Sequence, residues 1–147
     1  MRAKEYLKQL KVAQTKIEQM SLEIANLKTV TAGIASNTSN TEKVTSSRTV
    51  EDKMAQSVTN YCDLEIDFRQ KRWEYMQLRS KIISEIHELS DSRYIQILYM
   101  HYVQDKRLEE IACTMTKANG DPYSFAHINE LHGEALNRFE EQILKND

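Results

Sequence analysis

The chain has 147 residues, enough for one compact domain or for a small one carrying an extended arm. One Pro and three Gly beside 29% charged residues favour long uninterrupted helices over turn-rich β architecture, so the predicted class is all-α. The net charge is -2 but unevenly spread: residues 1–90 sum to +2 and residues 91–147 to -4. No apolar run approaches the roughly 18 residues that span a bilayer, and MRAKEYLKQLK lacks a hydrophobic signal core, so the expectation is a cytoplasmic protein with no membrane segment.

In chain order, Ala3, Tyr6, Leu10, Ala13, Ile17, Met20, Ile24 and Leu27 recur three and four residues apart, the seam of a coiled coil on a first helix of about 27 residues. From Thr31 to Thr49 the composition turns to Ser, Thr and Asn, whose side chains compete for backbone hydrogen bonds, and a mobile loop is expected over 31–49. A second helix of about 40 residues comes next, with Thr49 as its cap and Glu51 and Asp52 in its first turn. Its stripe is Met54, Tyr61, Phe68, Tyr75, Ile82 and Leu89, filled in by Val58, Leu64, Leu78 and Ile86. Folding the two helices together as an antiparallel hairpin satisfies both stripes and leaves Tyr75 to Leu89 to support the C-terminal third of the chain. Pairing between chains in a homodimer satisfies them equally, and the pattern leaves both open.

Residues 91–147 hold three shorter amphipathic runs. The first inward face is Tyr94, Ile97, Leu98 and Tyr102, and the second is Leu108, Ile111, Ala112 and Met115. The third is Ile128, Leu131, Ala135, Leu136 and Phe139. Asp91 and Asp105 are expected caps, and the third helix starts at Asp121-Pro122 or at Ser124. The stretch LEEIA sets a small Ala where a following helix crosses closely, as a helix-turn-helix requires. The predicted architecture is a helical hairpin over 1–90 and a three-helix unit over 91–147.

RYIQILYMHYVQDKRLEEIACTM followed by INELHGEAL resembles the region-4-type helix-turn-helix of RNA polymerase sigma factors. The whole layout resembles small phage-encoded helical proteins that join such a unit to a long N-terminal helical segment, relatives of ArpU-type late-transcription regulators. The resemblance implies DNA binding beside a promoter, or contact with RNA polymerase, in a bacterial host cell. This chain departs from the pattern at TKANGDPY, which is longer than the usual turn of about 3 to 4 residues. On a recognition helix, Tyr123, Ser124, Phe125, His127 and Glu130 would face outward. Ser124 and His127 would donate to base edges and Phe125 would meet a thymine methyl. Lys106, Arg107, Lys117 and Arg138 would hold phosphates.

A second interpretation comes from a different class. A DNA-binding domain carries a basic footprint, and the -4 balance of residues 91–147 runs against it. Trp73 points away from the seam beside Arg69 and Arg72, which suits a solvated charged face, an anchor for a bacterial host protein or a docking point for the C-terminal unit. The chain is then a non-enzymatic adaptor or inhibitor.

No chemistry is legible. His127 and His132 lie about 140° apart around a helix and cannot share a metal ion, and His132 is expected to pack or hydrogen-bond at a helix crossing. No phosphate-cradling Gly loop and no nucleophile or acid/base constellation is recognisable, so neither an enzyme nor a cofactor is expected. Cys62 and Cys113 have no paired spacing and are expected to stay reduced.

Overall fold

The computed structural model describes residues 1–38 and 47–146, and among them the fold is all-helical, with one isolated β-bridge between Thr116 and Pro122. The helices are α1 (Ala3–Thr38), α2 (Ser47–His87), α3 (Ser92–Leu98), α4 (Leu108–Thr114) and α5 (Phe125–Phe139). Both α3 and α5 widen at their C-terminal ends into a π-helical turn, Tyr99–Val103 and Glu140–Leu144. The chain divides into two compact units, one of Met1–Ala13 with Tyr75–Asp147 and the other of Gln14–Glu74. The expected boundary at residue 90 lies inside the first of them.

The first unit is built on an apolar core to which four stretches contribute. Ala3, Leu7 and Leu10 come from α1, and Ile82 and Ile86 from α2, with Leu89 just beyond it. Ile97, Leu98, Tyr102, Ile111, Ala112 and Met115 come from α3, its π-turn and α4 with its C-cap, and Ile128, Leu131, Ala135 and Phe139 from α5. These are the inward faces read from the 3.6-residue period, with Tyr94, Leu108 and Leu136 half-buried against them. Leu7 is fully buried yet absent from the predicted seam. A strict three-four alternation assigns that turn to Tyr6, whereas the crossing also buries the next residue.

Polar contacts fix how α1 enters this core. The Ala3 amide donates to Glu140 Oε2 at 3.1 Å, the Tyr6 hydroxyl donates to Glu85 Oε2 at 2.7 Å, and the Tyr6 ring stacks on Phe139 at 6.1 Å. Lys11 pairs with Asp105. Glu85 is buried, and a carboxylate is tolerable there because the tyrosine donates to it and Lys81 stands 3.8 Å away.

Caps set the ends of the short helices. Asp91 caps α3 as expected, accepting from the Arg93 amide at 2.9 Å, and Arg93 holds the Asp91 carboxylate below its ordinary range. The expected cap at Asp105 is not observed. The π-turn takes up an extra residue, the Gln104 amide reaching back to the Tyr99 carbonyl at 3.0 Å, and the chain then reverses through Asp105 at φ 57°. Arg107 therefore stands at the N-cap of α4, its amide donating to Glu110 at 3.4 Å. Of the two starts offered for α5, Ser124 is the cap, accepting from the His127 amide at 3.2 Å.

In the second unit, Ile24, Thr31 and Ser57 are buried, with Ile17, Met20, Leu27, Tyr61, Leu64 and Phe68 half-buried. Lys28 pairs with Glu65 at 2.6 Å and Thr31 with Ser57, so position rises along α1 as it falls along α2, an antiparallel order. Part of the loop expected over 31–49 is helix instead: Thr31–Thr38 belongs to α1 and Ser47–Thr49 to α2, while residues 39–46 lie outside the described ones. At Thr31 helix is tolerated because the competing hydroxyl is satisfied within it. Thr31 donates back to the Leu27 carbonyl at 2.8 Å, and Thr29 to Ala25 at 2.9 Å. The second helix starts at Ser47 rather than at a Thr49 cap, and in its early turns Ser57 is buried while Met54 is exposed. Cys62 and Cys113 are free and exposed.

One buried polar contact crosses the first unit's core. The Tyr102 hydroxyl meets His132 Nε2 at 2.9 Å, as expected of a histidine at a helix crossing, and the His101 ring lies edge-on to His132 at 5.0 Å. Burial pushes the Tyr102 hydroxyl up to about 12. Burial, the neighbouring His101 and the charge of Lys4 together lower His132 from 6.5 to about 4. The unfolded chain then binds the extra proton first, so stability is full above about pH 6.5 and is lost as pH falls toward 4. Urea unfolding at a series of pH values is expected to show the midpoint dropping through that window, and His132→Gln to flatten the drop. An unchanged slope in the variant would assign the acid sensitivity to other groups.

Candidate nucleic-acid interface

The entry to α5 is the polar stretch TKANGDPY, which folds as a tight turn. The Lys117 amide donates to the Asp121 carbonyl at 2.8 Å, and the Gly120 amide to the Lys117 carbonyl at 2.9 Å. Gly120 stands at φ 87°, a conformation that a side chain would strain. The extra residues are therefore a closed hairpin-like excursion bridged at Thr116 and Pro122, after which Ser124 opens the helix.

The predicted site residues divide. Ser124 is exposed, but its hydroxyl oxygen is engaged as the helix cap. Phe125 is 46% exposed, a large apolar side chain in water beside that cap. His127 is half-buried with its ring edge-on to Tyr123 at 4.9 Å, and Glu130 is exposed. Tyr123, expected to face outward, is instead 9% exposed and part of the core, with Lys117 Nζ 5.9 Å above its ring. It lies on the inward side because α5 begins only at Phe125, so Tyr123 belongs to the returning arm of the turn.

The four expected phosphate-binding cations are not gathered at one place. Lys117 stands beside Tyr123 at the entry to α5, whereas Arg138 sits near the other end of the helix, about 20 Å along it at 1.5 Å per residue. Arg138 is also within 3.9 Å of Glu141. Lys106 and Arg107 occupy the segment entering α4, where Arg107 lies 3.5 Å from Glu110. Both ion pairs are exposed, so each leaves its guanidinium able to exchange partners at little cost.

A source of positive charge that sequence order concealed is α1. Its opening turns carry Lys4, Lys8 and Lys11 against Glu5, with Arg2 just ahead of them, and they belong to the same compact unit as α3, α4 and α5. Counting that unit as it folds raises its net charge from -4 to -1. Lys4, Lys8 and Lys11 are four and three residues apart on one helical face, and the Lys11–Asp105 pair brings that face beside the segment holding Lys106 and Arg107. Two distant parts of the chain are thereby brought together.

In the second unit, Trp73 is 60% exposed on α2, as expected of a residue off the seam, and Ile66 one heptad earlier is 66% exposed. Arg69 and Arg72 line an open groove of about 320 Å³ with Lys28, Glu65, Phe68 and Ile24. The two arginines thus share a surface, and Trp73 adjoins them in sequence.

Comparison of the chain with family models, with curated proteins and with solved structures yields no match. Among the described residues, no helix is long and apolar enough to cross a membrane.

Proposed function

We propose that the chain is a cytoplasmic, non-enzymatic regulator of phage or prophage transcription that binds DNA, alone or with RNA polymerase. In this reading α3, α4 and α5 form a sigma-region-4-like helix-turn-helix, and α1 with α2 forms a helical hairpin. The observation that carries it is the start of α5, where Phe125 is left in solvent beside a capped helix end while Ile128, Leu131 and Ala135, on a stripe roughly a quarter-turn round the helix, are buried. A helix that anchors one face in a small core and leaves its first turn projecting is what major-groove reading requires. The cations of α1 support the same reading, because phosphate contacts supply most non-specific affinity and do not depend on base sequence.

Anisotropy of labelled duplex DNA with the full chain tests this. Binding is expected to weaken steeply with added salt, and Lys106→Gln or Arg107→Gln to reduce the salt slope by about one each. Phe125→Ala is expected to weaken binding while leaving the salt slope unchanged. Absence of binding even at low ionic strength would reject direct DNA contact.

A second reading, a protein-binding adaptor or inhibitor directed at a bacterial host protein, is favoured by Trp73. A tryptophan left in solvent beside two arginines is the composition of an interface anchor. Retention of a bacterial protein by the wild-type chain, reduced at least about tenfold by Trp73→Ala, is the expected outcome under this reading. Equal retention by both chains would remove it.

A further inference from the structure

Between the first helix and the π-turn after α3 the surface opens into a cavity of about 120 Å³, lined by Lys8, Lys11, His101, Tyr102 and Asp105. Neither the lysine stripe nor the histidine is notable in the sequence alone, but the fold sets them around one space. Lys8 forms no ion pair among the described residues. Lys11 pairs with Asp105, so the lining carries two lysines against one carboxylate. Lys4 continues the same helical face, close enough for its charge to act on His132 behind the cavity.

His101 is oriented for this space by its other nitrogen. Nδ1 lies 2.8 Å from the Lys106 carbonyl, which can only accept, so Nδ1 carries the proton and Nε2 is the ring's acceptor nitrogen. Tyr102 closes the wall, its hydroxyl engaged by His132. Two backbone departures hold these groups in place. His101 stands in the middle of the π-turn Tyr99–Val103, and Asp105 at φ 57° is the one non-glycine residue with positive φ among the described residues. π-turns and left-handed non-glycine residues both concentrate at functional sites, where the surroundings sustain their strain. At about 30 Å³ per water the space holds on the order of four waters, room for one tetrahedral oxyanion.

We propose that this cavity binds a phosphoryl group, with the Lys8 and Lys11 ammonium groups as its donors and the His101 ring lining it beside them. The phosphoryl oxygens could belong to a DNA backbone phosphodiester or to a free phosphate, and the chemistry of recognition is the same. The DNA version rests on the function proposed above; the free-phosphate version does not.

The test uses the full chain and the imidazole ring resonances of its four histidines, titrated with inorganic phosphate against sodium chloride of equal ionic strength. His101 is expected to shift saturably with phosphate and not with chloride, while the exposed His87 stays still. Lys8→Gln is expected to weaken that response about tenfold, the loss of one charge-assisted hydrogen bond, and Lys145→Gln, outside the cavity, to leave it unchanged. Duplex DNA is then titrated in the same way. If it shifts His101 and Lys8→Gln lowers the salt slope of binding by about one, the occupant is a backbone phosphodiester. If orthophosphate acts and DNA does not, the occupant is free phosphate, and the site stands even where the DNA reading fails. Shifts that match those in chloride, or that persist unchanged in Lys8→Gln, overturn the proposal.

Discussion

Everything in the larger unit depends on the docking of the first three turns of α1 into the core made by α3, α4 and α5. Leu7 and Leu10 bury their side chains there, and the surrounding polar contacts fix the docking in three directions at once. Ala3 is tied to Glu140 at the end of α5, Tyr6 to Glu85 on α2, and Lys11 to Asp105 ahead of α4. Burial of large aliphatic side chains supplies about 1.5–3 kcal/mol each, and hydrogen bonds to partly buried charges select one geometry from those that burial would allow. Three short helices, two of them only seven residues long, present little apolar area alone. The added strip from α1, with Ile82 and Ile86 of α2, completes the enclosure.

That docking also decides the electrostatics. Residues 91–147 by themselves form an acidic segment, a poor partner for a polyanion. Once α1 lies beside the π-turn, its lysine face adjoins the segment carrying Lys106 and Arg107, and the cavity between α1 and the π-turn is basic on one wall. The proposed DNA contact and the proposed phosphoryl site thus have one physical origin, a cationic helix brought across an otherwise acidic domain. Asp105 is central to both: it turns the chain where the π-turn ends and anchors Lys11.

Much of the fold was legible because it follows from periodicity. The inward faces of α3, α4 and α5 are predicted almost residue by residue, since a small core admits only the 3.6-residue stripe. The seams of α1 and α2 are legible for the same reason, with Leu7 lost to an alternation that named Tyr6. Composition misled at Thr31, where the run of Ser and Thr suggests a loop but the Thr31 hydroxyl bonds back to the helix and across to Ser57. The cap at Asp105 failed because nothing local announces a π-turn. For the candidate site, the exposed start of α5 could be read from turn chemistry and face, but Tyr123 could not be placed without knowing where that helix begins. The association of Lys8 with His101, and of His101 with His132, carries no signal in sequence, since the partners come from separate elements and meet only through packing.

The most direct test is native-state hydrogen exchange on the full chain, comparing wild type with Leu7→Ala. Truncating a fully buried leucine costs about 2–5 kcal/mol. If α1 completes the core, the amides of Ile128 to Phe139 should lose protection together with those of Tyr6 to Leu10, by a common amount in that range. Loss confined to α1, with α5 as protected as before, would show that the three short helices stand without it and would contradict this account.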